Sequence, residues 1–182
     1  MERLIYKEEQ SFRQSFIPWI MLSAIILAMG GMGVDFYQQF FLAKSSGNES
    51  ANSQGMIWSS ILAFIIMGTA FVFILNGNLT TEIWTDGIRY RFPPFIQKMR
   101  HIPLTEIVSV EVGKYKPLAE FGGWGVRRRI LSGKTAYNVS GRFGMQIRKK
   151  NGRQVMFGTR KQDEIKRAVD KMLQPEMHKY SI

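Results

Sequence analysis

The chain has 182 residues, room for one domain of ordinary size and some additional segments but not for two large domains. Its 25 Lys and Arg against 14 Asp and Glu give a formal charge of +11, and 45% of the residues are hydrophobic, a combination that points to a membrane or a polyanion. With no cysteine there is no disulfide framework and no thiolate metal site, and only His101 and His178, far apart in sequence, remain as imidazole ligands.

Residues 1–15 read as a cytoplasmic N-terminal segment carrying Arg3, Lys7 and Arg13. The run "FIPWIMLSAIILAMGGMGV", 16–34, has no charge and is long enough as a helix, at about 1.5 Å per residue, to cross a hydrocarbon core of roughly 30 Å. It exceeds the apolar region of a signal peptide and has no clean small-residue cleavage site, so a retained helix is expected. "DFYQQFFLA" after Val34 either continues that helix or lies in the outer interface. The polar stretch "KSSGNESANSQG", 44–55, has the composition of a solvent loop, and "MIWSSILAFIIMGTAFVFIL", 56–75, is a second span. A membrane hairpin results. Basic residues before the first span and after the second (Arg89, Arg91, Lys98, Arg100), against Lys44 alone in the loop, put both termini in the cytoplasm, with the hairpin in the cell (inner) membrane. Neither 16–34 nor 56–75 contains an ionisable residue of the kind pumps and proton-coupled transporters need, so the hairpin reads as an anchor.

Residues 76–182 hold 21 Lys and Arg against 9 Asp and Glu. Alternation of period two marks strand after strand: "LTTEIW" (79–84), "GIRYRF", "KMRHI" (98–102), "IVSVEV", "WGVRRRIL" (124–131), "FGMQIRK" (143–149) and "RQVMFG" (153–158). That makes about seven, linked by turn sequences such as "TDG", "PPF", "LSGK" and "KNG". The period then changes, with Ile165, Ala168, Val169, Met172 and Leu173 at helical spacing and Thr159 and Gln162 suited to a capping box. The expected architecture is a bent antiparallel sheet closed by one amphipathic C-terminal helix.

This order of elements after a transmembrane hairpin resembles bacterial membrane proteins that carry a pleckstrin-homology-like (PH-like) domain. The resemblance rests on "TTEIWTDGIRYRFPPF", "IPLTEIVSVEV", "YKPLAEFGGWGVR", "AYNVSGRFGMQI" and "NGRQVMFGTRKQDEI", which span most of 76–182. It implies a seven-stranded sheet with a C-terminal helix, used to bind lipid head groups or proteins, and it carries no assigned site.

Catalytic motifs are missing. "SGKT" (132–135) lacks the P-loop glycine, Arg128 standing in its place, and leads into a strand. Ser140 lacks a nucleophile elbow, and Glu106, Glu111 and Glu120 read as solvated carboxylates. An enzyme, a metal site and a cofactor are therefore not expected. In "FGGWGVRRR", Gly122, Gly123 and Gly125 suit a bend where a strand begins, and alternation keeps the three arginines off a single face. The expected binding surface is Arg127, Arg129, Lys134, Arg148 and Lys150, held against the anionic inner leaflet, where each basic residue contributes about 1 kcal/mol. The alternative is an accessory subunit that docks a membrane protein partner along a sheet edge or helix groove. Nucleic acid comes third, because Tyr90 and Phe92 read as core residues rather than stacking platforms.

Overall fold

The computed structural model describes residues 2–38, 53–129 and 133–177. The chain divides into two units: Phe16–Leu75, and the residues up to Ser15 together with those from Asn76 onward.

The first unit consists of two helices, α1 (Ile17–Tyr37) and α2 (Ser53–Leu75), which pack on each other. Both are apolar around their whole circumference and long enough to cross a membrane, and their side chains are largely exposed, with Trp19 at 70% and Leu27 at 76%. A soluble core helix would have buried such a surface. Pro18 sits in the first turn of α1, where its missing N–H costs nothing. The first helix runs on past Val34 to Tyr37, and the second begins at Ser53, inside the expected loop; the rest of 44–55 lies outside the described residues.

The second unit contains two sheets. One is an antiparallel meander in the order β1 (Leu4–Ser11), β2 (Asn78–Trp84), β3 (Gly87–Phe92), β4 (Ile96–Pro103). The other contains β5 (Ile107–Lys114), a short helix α3 (Pro117–Phe121), β6 (Gly125–Arg129), β7 (Lys134–Asn138), β8 (Phe143–Lys149) and β9 (Gln154–Thr159), in the order β5-β8-β9-β7-β6. Only the β7–β9 pair is parallel among these described strands. Helix α4 (Gln162–Met177) buries Ile165, Ala168, Val169 and Met172 against β1, β2, β5 and β8.

The core forms where the inner faces of the sheets meet. Leu79, Ile83, Ile88 and Phe92 from one side face Met145, Ile147 and Phe157 from the other. Tyr90 joins them, with ring centroids 4.8 Å from Phe157 and 5.2 Å from Tyr137. Gly87, at φ +147°, lets β3 cross so close to β4 that a Cβ there would strike the Ile102 carbonyl oxygen.

Two expectations are corrected. The seven strands expected in 76–182 become eight among the described residues, nine with one from the N-terminal segment, in two sheets, and residues 1–15 are not a separate segment. Leu4–Ser11 is the edge strand of the first sheet, paired with β2 from Leu4↔Trp84 to Ser11↔Asn78. Its alternation was hidden because the inward residues are Tyr6, Glu8 and Gln10, two of them polar. The two membrane-length helices are thus inserted in the connection between two paired strands, and Phe12 N–H donates to Gly77 O at 3.0 Å where the chain leaves and returns.

Candidate functional site

The five basic residues expected at the surface divide in the structure. Residues directly opposite on paired strands project from the same face of a sheet. Arg129 is opposite Lys134, Lys134 opposite Gln154, Gln154 opposite Arg148, and Arg148 opposite Ser109, so one row crosses all five strands of the second sheet. Three expected cations lie in this row, and the Gln154 amide within it is held by Gln146 at 2.9 Å. Lys134 is the first residue of β7 rather than part of the turn. Arg127 shares the face, but its Nε donates to Trp124 O at 3.1 Å, which draws the guanidinium back over the glycine-rich bend. Lys150 lies in the β8–β9 turn, and its backbone N–H donates to Glu106 O at 2.9 Å. The row sits about 16 Å along β9 from Thr159, taking about 3.3 Å per residue.

Sequence reasoning missed a second group of cations. Between β4, at the free edge of the first sheet, and the β6–β7 hairpin lies a cleft of about 710 Å³. Arg100, Arg128, Arg129, Lys149 and Arg153 line it, with Tyr90, Tyr137 and Phe95 as its aromatic surface. No carboxylate contributes to the lining. Of the five cations only Lys149 has an ion pair among the described residues, with Glu106 at 2.9 Å. Elsewhere Arg89 pairs with Glu2 and Asp86, Lys7 with Glu9 and Glu82, and Lys161 with Glu164.

The positive field reaches the aromatic wall. Burial pushes the Tyr137 hydroxyl far above the usual tyrosine value, neighbouring Tyr90 adds to this, and Arg100 and Arg128 oppose it. Like charges brought together without counter-ions lower stability, so the cluster has a cost that an anion would offset. Arg128 was the available signal: it shares the core-facing phase of β6 with Val126, an unusual place for a cation.

A buried polar knot joins the two sheets at the other end of β9. The Glu8 carboxylate accepts from Tyr6 Oη (2.7 Å) and Thr159 Oγ1 (2.6 Å) on Oε2, and from Gln10 Nε2 (3.0 Å) and Arg160 N (2.9 Å) on Oε1. Burial, and after it the Glu8 carboxylate, raise the Tyr6 hydroxyl far above its ordinary value. The Arg160 side chain reaches Ser140 Oγ (2.8 Å) and Gln14 Oε1 (3.1 Å). Thr159 Oγ1 also accepts from Lys161 N at 3.0 Å and so starts α4, while its proton goes to Glu8. With four donors, closed off from solvent, Glu8 is a structural clip.

Among the described residues no three His, Asp or Glu side chains come together to hold a metal ion, and His178 lies outside them. His101 Nε2 contacts Asp86 Oδ2 at 3.3 Å. After Gly133 the "SGKT" stretch continues as strand β7, so no helix N-terminus faces a phosphate there. No protein-family model, curated protein or solved structure matches this chain.

Proposed function

We propose that this protein is a non-enzymatic, membrane-anchored, PH-like module that binds a phosphate-bearing ligand, lipid head group or soluble anion, in the cleft between its two sheets. A four-stranded meander, a three-stranded antiparallel meander (β5, β8, β9) and a closing C-terminal helix support the PH-like reading. The membrane helices and the β6–β7 hairpin are then insertions between consecutive strands.

Pairing of β1 with β2 supports a hairpin whose two ends lie on one side of the bilayer. The basic flanks favour the cytoplasmic side. The observation that carries the ligand is the set of cations around the cleft, four of them without a carboxylate partner among the described residues.

The test is calorimetric titration of the full chain in detergent with inorganic tripolyphosphate, against an Arg100→Ala, Arg128→Ala double variant. Affinity should fall at least tenfold in the variant and decline with salt. Equal affinity would sink the reading. Repeating the titration in nanodiscs separates the two sources: a head group in the cleft weakens tripolyphosphate binding when anionic lipid is present, and a soluble ligand does not compete with lipid.

A further inference from the structure

Tyr115, just after β5, packs with Ala136 and Met156, and Phe121 of α3 closes over them. Its ring lies across the paired glycines Gly144 and Gly158: a Cβ at Gly144 would come within 3.2 Å of the ring, and one at Gly158 within 3.4 Å of its hydroxyl. Asn138 Nδ2 donates to that hydroxyl at 2.9 Å, Phe121 meets the ring edge-on, and the Tyr115 N–H donates to Arg142 O at 2.8 Å. The ring is therefore held in one position.

Beside it, α3 and the glycine-rich bend enclose a recess of about 530 Å³, a volume in the range of small-molecule sites. Tyr115, Pro117, Leu118 and Trp124 form an apolar wall. Leu118 is 66% exposed, more than any other large hydrophobic residue described in the sheet unit. Its backbone is fixed all the same, because Gly122, at φ +72°, turns the chain so that its N–H donates to Leu118 O and the Gly123 N–H to Pro117 O, both at 3.0 Å.

The charge around this wall has one sign. Lys114, Lys116 and Arg142 complete the lining, and none of them forms an ion pair among the described residues. The single acid of the lining, Glu120, is turned to the backbone, where Oε1 accepts the Lys116 N–H at 2.8 Å. Lys114 Nζ stands 5.6 Å over the Phe143 ring, a contact that leaves its charge uncompensated.

An inorganic anion would meet the cations and leave Leu118 in water, and a neutral apolar molecule would cover Leu118 and leave the cations without a counter-ion. A molecule that joins the two halves satisfies both. We infer that this recess binds a small amphipathic anion, its apolar body against Leu118 and Trp124 and its carboxylate, sulfonate or phosphate among Lys114, Lys116 and Arg142. Every lining residue belongs to the sheet unit, so the site needs nothing from the helices, and it shares no lining residue with the cleft.

The test is photolabelling of the full chain in detergent with para-benzoylbenzoate, a diaryl ketone that carries a carboxylate, followed by mass-spectrometric mapping of the labelled peptides. The expected label lies within residues 114–124. It should fall about tenfold or more in a Lys116→Ala, Arg142→Ala double variant, which removes two charged contacts to the head. It should also fall in Leu118→Asp, and stay unchanged in the Arg100→Ala, Arg128→Ala cleft variant. Thermal unfolding of each variant separates loss of the site from loss of the fold. Equal labelling of 114–124 by uncharged para-methylbenzophenone would reduce the recess to a greasy surface and overturn the inference, as would label found chiefly on the helices or on cleft residues. Labelling that disappears in nanodiscs with phosphatidylglycerol, but not in pure phosphatidylcholine, would assign the recess to lipid and also overturn it. None of these outcomes bears on tripolyphosphate binding in the cleft, which stands or falls by its own titration.

Discussion

Glu8 Oε2 accepts the Thr159 hydroxyl at 2.6 Å, a bond between residues 151 positions apart that clips the N-terminal strand of one sheet to the last strand of the other. Because the carboxylate also satisfies Tyr6 and the Arg160 backbone, its removal leaves three donors unpartnered in or near the core, while Gln10 Nε2 keeps its bond to Gly158 O. Glu8→Ala should cost about 3 kcal/mol or more, and Thr159→Val about 1–3 kcal/mol. Glu8→Gln, which offers only one acceptor oxygen, should fall between Glu8→Ala and the wild type. Thermal unfolding of the detergent-solubilised chain measures all three, and a Glu8→Ala variant as stable as the wild type would remove the clip from the account.

Three buried tyrosines, Tyr6 of the knot among them, couple the fold to alkaline pH. Tyr6, Tyr115 and Tyr137 are all raised, each chiefly by burial. The folded state holds these protons at a pH where the unfolded chain has released them. Their contribution is complete below the unfolded tyrosine value near 10 and is lost as the pH climbs past it. The melting temperature should therefore drop between pH 9.5 and 11, by roughly this range of buffers, and Tyr137→Phe should flatten the slope.

The strand pairing dictates which pieces of the chain can fold alone. A fragment beginning at Asn76 lacks β1 and with it Glu8, so it should be poorly folded. Joining Ser15 to Asn76 through a short Gly-Ser linker, with the helices removed, should give a cooperative, water-soluble unit, since Phe12 N and Gly77 O are already 3.0 Å apart. Amide proton dispersion distinguishes the two: a well-dispersed spectrum from the Asn76 fragment would contradict the assignment of β1 to the core sheet.

The two basic surfaces can be separated by single substitutions. Arg128 lines the cleft, whereas Arg148 lies in the outer row. Arg128→Ala should weaken tripolyphosphate binding about tenfold or more, while Arg148→Ala changes it by less than about twofold. The reverse order would move the binding surface to the outer row of Arg129, Lys134 and Arg148.

Much of the organisation was legible from local pattern. Two uninterrupted apolar runs determine two helices with no polar face, because nothing but an apolar surrounding can accept them. Alternation such as Ile88, Tyr90 and Phe92 determines a strand with one buried face, and the helical spacing of Ile165, Ala168, Val169 and Met172 determines α4. These are short-range properties, set by which side chains share a face within one element. Only the tertiary structure decided that Leu4–Ser11 belongs to the sheet, since Tyr6, Glu8 and Gln10 hide their periodicity until Thr159 and Arg160 supply partners from the far end of the chain. A strand after "SGKT" was readable, but only the tertiary structure decided the place of β7, whose neighbours on both sides leave Ala136, Tyr137 and Asn138 all buried and erase alternation. The placement of charge followed the same rule: a sequence shows that Arg127, Arg128 and Arg129 cannot all share a face, but which cations meet depends on the register of strands distant in sequence. Packing of the two sheets brought Arg128 into one cleft with Arg100 and Arg153, and register brought Arg129 to Lys134 and into one row with Arg148, because pairing between strands is set by packing of the whole core rather than by any one segment.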